Sequence, residues 1–287
     1  MKKLIRIVFI LIILILFYVN RDMAFEGIIR GINIWNNSLF PSIFPILIIS
    51  DFILSSDLIY YINKIFGNLF RRLFKVSSYG SYVFIMSMFS GCPSNAKYIN
   101  DLINSKVINK EEAIKILSMS LLYNPLLIIA ITPYLKLNEQ LFILIVNLIC
   151  NIIVGLLNRN YKANISTNNY IKKNFNLVNS ISNAINTLLL ILGSVCLFMG
   201  LSFILPFSHP LITGIFEITS GISMINLFEV DSYYKIIFTV IMMSFGGLSI
   251  LMQIKSILKD ADLDYSLYYK SRIIHLVLFM LIILVLA

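Results

Sequence analysis

Metal-binding and disulfide chemistry are what this sequence most plainly does without. Its 287 residues include three cysteines and two histidines. Cys92, Cys150 and Cys196 are odd in number, widely spaced and set in apolar runs, so they build neither a disulfide framework nor a CxxC site and read as small core residues. His209 and His275 have no Cys, His or acid at ligand spacing around them, so no metal site is indicated, and both read as interfacial. No GxxxxGKS/T loop, GxSxG elbow or HExxH helix occurs, which removes the usual grounds for an ATP-driven pump, a serine hydrolase or a membrane metalloprotease. Neither an enzyme nor a cofactor is read from the chain.

Charge is also scarce. Only 13% of the residues are charged and 59% are hydrophobic, against about 25% and about 45–50% in ordinary soluble domains. Mean hydropathy is +0.88, and it is spread along the chain and not gathered into one anchor, which excludes a soluble enzyme on a tether. The composition implies an all-α integral membrane protein with the lipid bilayer as its solvent. The net charge of +9 lies in short connections between apolar runs, where it sets orientation and gives no reason to invoke nucleic acid.

Four regions follow from the pattern. Residues 1–30 hold an N-terminal transmembrane helix (4–19), retained because no small-x-small cleavage site follows it, and a connection. Residues 31–157 form a first repeat: a span at 39–56, an interfacial amphipathic helix at 58–75, a hairpin, and two spans at about 116–135 and 139–157. Residues 158–179 are a polar linker carrying Arg159, Lys162, Lys172 and Lys173. Residues 180–287 form a second repeat: a span at about 181–205, an apolar segment at 210–228 that either crosses or lies on the surface, a second hairpin, and a last span from about 270.

The hairpins carry the functional expectation. The apolar run 79–89 covers only about 17 Å as helix, half of a roughly 30 Å core, and stops at Ser90-Gly91-Cys92-Pro93-Ser94-Asn95-Ala96-Lys97. A re-entrant segment whose irregular backbone lines a cavity is expected. The run 233–245 is broken likewise at Gly246-Gly247, before a helix to Leu258. Met86, Phe89, Gly91 and Leu102 fall on Met242, Phe245, Gly247 and Leu258 at a constant offset of 156, and the order of elements recurs. Charge placement then implies an inverted repeat with hairpins entering from opposite faces, at the cost of putting Lys255, Lys259, Lys270 and Arg272 on the outer side.

Broken helices in inverted-repeat transporters meet near the midplane and bind solute at their ends. Pro93 suits the first turn of the resumed helix, the N–H groups around Ser94, Asn95 and Ala96 would point into the break, and Lys97 would add a cation, together an anion site. The alternative for Lys97 is a shallower hairpin with the side chain snorkelling to the surface. The same offset places Gln253 opposite Lys97 and Ser249 near the start of its helix; Gln253 would otherwise make an interhelical hydrogen bond. Glu217, in Glu217-Ile218-Thr219-Ser220-Gly221, could take a coupling proton, bind solute or neutralise Lys97, or could be an interfacial acid. Asp51 lies near a polar span end, where hydration suffices and no role is expected. Pro41, Pro45, Pro125 and Pro133 are read as kinks. The candidate solute site is thus Ser90, Gly91, Pro93, Ser94, Asn95, Lys97, Asn124, Glu217, Thr219, Gly246, Gly247, Ser249 and Gln253.

These residues carry a resemblance. Ser38-Leu39-Phe40-Pro41-Ser42-Ile43-Phe44-Pro45, Ser90 to Lys97, Glu111-Glu112-Ala113, Glu217 to Gly221 and Gly246 to Gln253 resemble, in order, the signatures of the YlbJ-type sporulation integral membrane proteins. The chain departs from them at Cys92, Asn95 and Leu121-Leu122 and is shorter than usual, so it resembles a diverged member. The resemblance implies the nucleoside-recognition or gate-domain group, a fold like that of concentrative nucleoside transporters, and passage of dipicolinic acid during endospore formation across the outer forespore membrane or the cell membrane. The expected partner is therefore a small anion such as dipicolinate, with a homo-oligomer left open. The rival expectations are a transporter of nucleosides or other neutral solutes, and a non-transporting scaffold for spore-envelope assembly.

Overall fold

A computed structural model describes residues 2–161, 163, 174–205 and 209–286, and among them every regular element is helical. Lys162, Lys172 and Lys173 of the linker lie outside the described residues. Helix α1 (Lys2–Val19) is followed after Asn20 by α2 (Arg21–Ile34), a π-helical turn (Trp35–Leu39) and α3 (Phe40–Ser55). The stretch from Arg21 to Ser55 is thus a helix of 35 residues where a connection and a separate span at 39–56 were expected. The π turn stands directly before Pro41, which has no N–H and whose ring crowds the carbonyl four residues back; the wider turn relieves both.

α4 (Leu58–Phe74) is an amphipathic helix, with a range close to the 58–75 expected. It buries Ile59, Gly67, Phe70 and Phe74, leaves Tyr60, Tyr61, Ile65 and Leu69 exposed, and ends in Arg71 and Arg72. The first interruption falls where glycine and proline predicted it, between α5 (Tyr79–Ser90) and α6 (Ser94–Asn104), which pack on each other.

The span expected at 116–135 is not one helix. α7 (Lys110–Met119) ends before an irregular segment over 120–124, and α8 (Pro125–Ile131) restarts with Asn124 as its cap, the side chain accepting from the N–H groups of Leu126 and Leu127. An N-cap followed by proline at N1 is a start signal, and it outweighs the apolar composition. α9 (Leu137–Leu157) and α10 (Leu177–Phe203) are long apolar helices. The segment 210–228 neither crosses as one helix nor lies flat as one. It is split into α11 (Pro210–Phe216) and α12 (Ile218–Ile225) by Glu217, whose carboxylate caps α12. α13 (Ser232–Phe245) and α14 (Gly247–Ile257) meet at Gly246, and α15 (Ser266–Leu286) closes the described chain. Asp264 caps α15, and hydrogen bonds from the Ser266 amide and hydroxyl hold its exposed carboxyl below the usual carboxylate range.

Five helical stretches among the described residues are long and apolar enough to cross a membrane: 21–55, 137–160, 177–203, 232–257 and 266–285. Their outer faces remain greasy. On α15, Ile273, Val277, Leu281 and Leu284 are each more than half exposed, at helical spacing, a surface that only lipid or another apolar partner would cover. The interior is held by close helix contacts. α2 lies against α10 through Gly27-x-x-x-Gly31, where a Cβ on Gly27 would stand 2.8 Å from the Met199 carbonyl oxygen. The Trp35 indole N–H donates to the Leu188 carbonyl at 2.9 Å in the same seam.

Candidate functional site

Irregular backbone away from water must have its polar groups paired, and here side chains do the pairing. The segment 118–124 lies alongside the first break. The Cys92 N–H donates to the Leu122 carbonyl at 2.8 Å. Asn95 Nδ2 donates to the Ser120 carbonyl at 3.0 Å, Asn151 Nδ2 to that of Leu121 at 3.0 Å, and Arg272 Nη2 to that of Ser118 at 2.6 Å. Asn124 Nδ2 donates to the Ser42 carbonyl at 3.1 Å. At the second break the Tyr123 hydroxyl donates to the Met243 carbonyl at 2.6 Å. Gly91 is required here on two counts: its φ is +74°, and a Cβ would lie 2.5 Å from the Asn124 nitrogen.

Both breaks are buried, and α6 and α14 pack on each other. A small chamber of about 20 Å³ lies between them, with Cys92 and Pro93 from the first break, Tyr123, Glu217 and Thr219, and Gln253 from α14 on its walls. The structure therefore brings Pro93, Glu217, Thr219 and Gln253 together from distant parts of the sequence.

Lys97 is not among them. Its ammonium turns the other way, 2.5 Å from Asp51 Oδ1 and 3.0 Å from Asp101 Oδ2, and is 7% exposed. Asp51, for which hydration was expected to suffice, is the nearer of the two carboxylates paired with that lysine. The expected pairing of Lys97 with Gln253 is replaced by two separate arrangements, because one face of α6 cannot serve both. Gln253 donates to the Ser249 hydroxyl at 2.9 Å, and Glu217 takes the Ser220 N–H at 2.8 Å and the Thr219 hydroxyl, so Glu217 does not neutralise Lys97. Nor does the first break present a row of free amides: the Ala96 N–H is held by Asn95 Oδ1 and the Pro93 carbonyl, both at 2.9 Å, although the buried Ser94 hydroxyl has no partner among the described residues. Ser90 donates to the Met86 carbonyl at 3.0 Å, Asn124 serves as cap and strut, and Gly246 and Gly247 supply left-handed backbone.

The triad opens on a polar vestibule of about 340 Å³. Asp51, Lys97 and Asp101 line it with the carboxamides of Asn104, Asn174, Asn176, Asn179 and Asn183. The vestibule and the chamber share α10: Ile191 and Val195 line the chamber, and Asn179 and Asn183 the vestibule. Leu39 and the pair Cys92 and Pro93, which also line the chamber, immediately precede α3 and α6, and those two helices carry Asp51, Lys97 and Asp101 of the vestibule. At about 1.5 Å per residue the twelve steps from Leu39 to Asp51 span about 18 Å. A third, apolar cavity of about 210 Å³ lies between α5, α8 and α9, and Tyr123 is part of its wall as well as of the chamber's.

Sequence reasoning missed a buried polar cluster on α9 and α15. His275 is fully buried, not interfacial; its Nε2 faces Asn147 Nδ2 at 3.3 Å and Asn151 Nδ2 at 3.2 Å, and its Nδ1 faces the Ser244 hydroxyl at 3.2 Å. Two amide donors on Nε2 assign the neutral ring with its proton on Nδ1. Arg272, expected on the outer side, is 5% exposed and packs over the Tyr268 ring, because the helix carrying it is enclosed on that face by α7, α9 and α13. The signal was there: Asn147 and Asn151 are spaced i, i+4 in an apolar helix, and Arg272 and His275 i, i+3 in another. Among the described residues no three His, Cys, Asp or Glu side chains gather as a metal site would need.

Interrupted apolar helices around buried polar cavities define a polytopic helical membrane protein. Comparison with known proteins agrees with the resemblance read from the motifs. The chain is similar to the sporulation integral membrane protein YlbJ of Bacillus subtilis, 24% identical over 88% of this chain and 74% of that one. No protein-family model and no solved structure matches it.

Proposed function

We propose that the protein moves a small anion across a membrane of a spore-forming cell, with dipicolinate as the first candidate. The observation that carries this reading is the chamber itself, where Cys92 and Pro93 of the first helix break meet the buried Glu217 and Thr219 and Gln253 of α14, with a polar vestibule of about 340 Å³ on α3, α6 and α10 and a third cavity that shares the Tyr123 wall. A scaffold has no need of irregular backbone packed so elaborately around cavities. The choice of an anion rests on the resemblance to YlbJ-type proteins and on the Arg272 guanidinium, which has no counter-ion among the described residues. Within this reading the two breaks are counterparts in an inverted repeat, a relation supported by the 156-residue offset and the packing of α6 on α14. Glu217, buried beside the chamber, is the carboxyl that takes a coupling proton, and the outer forespore membrane is the site of action.

A second reading, transport of a nucleoside or other neutral solute, is favoured by the chamber wall itself, which offers the amide of Gln253 and the hydroxyl of Thr219 but no cation. Flux measured in vesicles that hold the purified chain decides between them. Entry of labelled dipicolinate well above empty vesicles, with little entry of uridine, is the expected result. Uridine flux alone would replace the anion with the neutral solute, and no flux of either would leave the scaffold.

A further inference from the structure

Among the described residues, every buried cation except one has its charge or hydrogen bonds answered. Lys97 has two carboxylates, and Lys115 donates to the carbonyls of Lys75 and Arg159 at 3.1 and 2.8 Å. Arg272 is the exception. Its Nη2 donates to the Ser118 carbonyl and its guanidinium carbon stands 5.4 Å from the centre of the Tyr268 ring, but Nε and Nη1 have no partner, and no carboxylate among the described residues pairs with it. A guanidinium carries five donors in a planar fork and accepts nothing, so two buried N–H groups without acceptors are a standing cost.

The surroundings do not relieve it. Asn158 donates to the Ser271 hydroxyl, which itself donates to the Leu267 carbonyl. Asn147 and Asn151 direct their amide donors at His275, which is neutral. One buried acceptor of the cluster, Asn151 Oδ1, is also without a partner among the described residues, against the unpartnered Nε and Nη1 donors of Arg272, so donors are in excess, a setting that favours a negative ligand. Arg272 reaches the Ser118 carbonyl, where the irregular segment 118–124 begins, and Tyr123 of that same segment is a wall of the chamber between the helix breaks. Arg272 thus stands behind the segment that walls the chamber. The Tyr123 hydroxyl is held by its hydrogen bond to the Met243 carbonyl, beside the left-handed glycines of the second break.

Resting on the anion-transport reading above, we infer that Arg272, and not Lys97, is the cation that recognises a carboxylate of the transported solute, and that Tyr123 is the side chain whose displacement exposes it. In the conformation described, the chamber, at about 20 Å³, is too small for any organic anion. Tyr123 lines both this chamber and the 210 Å³ cavity, and release of its hydroxyl from Met243 is the movement by which the two would join. The Nη2–H not used on Ser118, with whichever of Nε–H and Nη1–H lies beside it, then meets a carboxylate as two parallel donors.

The test compares binding of dipicolinate with that of its neutral isostere, pyridine-2,6-dicarboxamide, by calorimetry on the purified full chain. Loss of one buried charge-assisted pair predicts that Arg272→Gln weakens dipicolinate binding by roughly thirty-fold or more while leaving the diamide unchanged. Lys97→Met should keep the preference for the acid. If Arg272→Gln does not fold, Arg272→Lys carries the test: it retains the charge without the fork and should keep a reduced preference. An unchanged preference in both Arg272 variants would overturn the inference and leave anion transport standing. A wild-type protein that prefers the diamide would overturn both. Chloride titrated alone is the third probe, and tighter binding of chloride than of dipicolinate would mean a resident halide and would also overturn the assignment.

Discussion

The Lys97 triad allows a quantitative prediction because its two carboxylates differ in setting. Asp51 comes from a different helix and its side chain is 16% exposed; Asp101 is four residues along the same helix and is 34% exposed. Lys97→Met leaves both acids without their cation. Asp51 cannot rehydrate fully, and breaking a mostly buried pair costs about 3–5 kcal/mol, discounted here to about 3 for its residual contact with the vestibule. Asp101 turns to water, and an i, i+4 helix pair contributes only about 0.3–0.5 kcal/mol. A double-mutant cycle on detergent-solubilised protein, read by denaturant unfolding, should therefore give a coupling of about 2–3 kcal/mol between Lys97 and Asp51 and under about 1 between Lys97 and Asp101. Asp51→Asn combined with Lys97→Met should recover most of the loss of either alone. The reasoning fails if the two couplings are equal, or if Lys97→Met is neutral, since a snorkelling lysine would leave both acids hydrated.

Two further outcomes follow from the packing. Gly91→Ala must place a Cβ 2.5 Å from the Asn124 nitrogen at a φ of +74°, whereas Gly193 in α10 has no heavy atom within 4 Å of its would-be Cβ. Gly91→Ala should lower the unfolding midpoint sharply, by about 2 kcal/mol or more in stability, while Gly193→Ala is neutral or gains up to about 1 kcal/mol; similar effects would refute the close approach of the two irregular segments. Asn151→Leu removes donors from the Leu121 carbonyl and from His275 Nε2. Orphaning the Leu121 carbonyl, while Asn147 still faces His275 Nε2, should cost about 1–3 kcal/mol in the same unfolding assay, and a loss under about 0.5 would show that water reaches the cluster.

What could be read without coordinates was whatever depends on composition and on local stereochemistry. The membrane character, the amphipathic α4, and both interruptions at Gly91-Cys92-Pro93 and Gly246-Gly247 were legible, because hydropathy and the limits of glycine and proline act within a few residues. The division at Asn124-Pro125 was visible only as an irregularity, although its full signal, a capping asparagine before proline, was in plain view. The helix over 21–34 was missed because its polar residues read as a connection. Its reason is the Gly27–Gly31 contact with α10, some 170 positions away in sequence. The buried His275 and Arg272 were misplaced for a similar reason: charge rules assign a cation to a membrane side only if it is exposed.

The sequence by itself determined that this is a helical membrane protein and where its helices must break, since a missing N–H, a missing Cβ and an apolar run each act through the nearest few peptide units. Only the tertiary structure decided which polar groups face one another. It gave Lys97 to Asp51 and Asp101, put Glu217 beside Gln253, and left Arg272 without an anion. Those pairings depend on which faces of α3, α6, α10 and α15 are turned inward, and a buried charge takes its partner from geometry across helices that no spacing along one of them encodes.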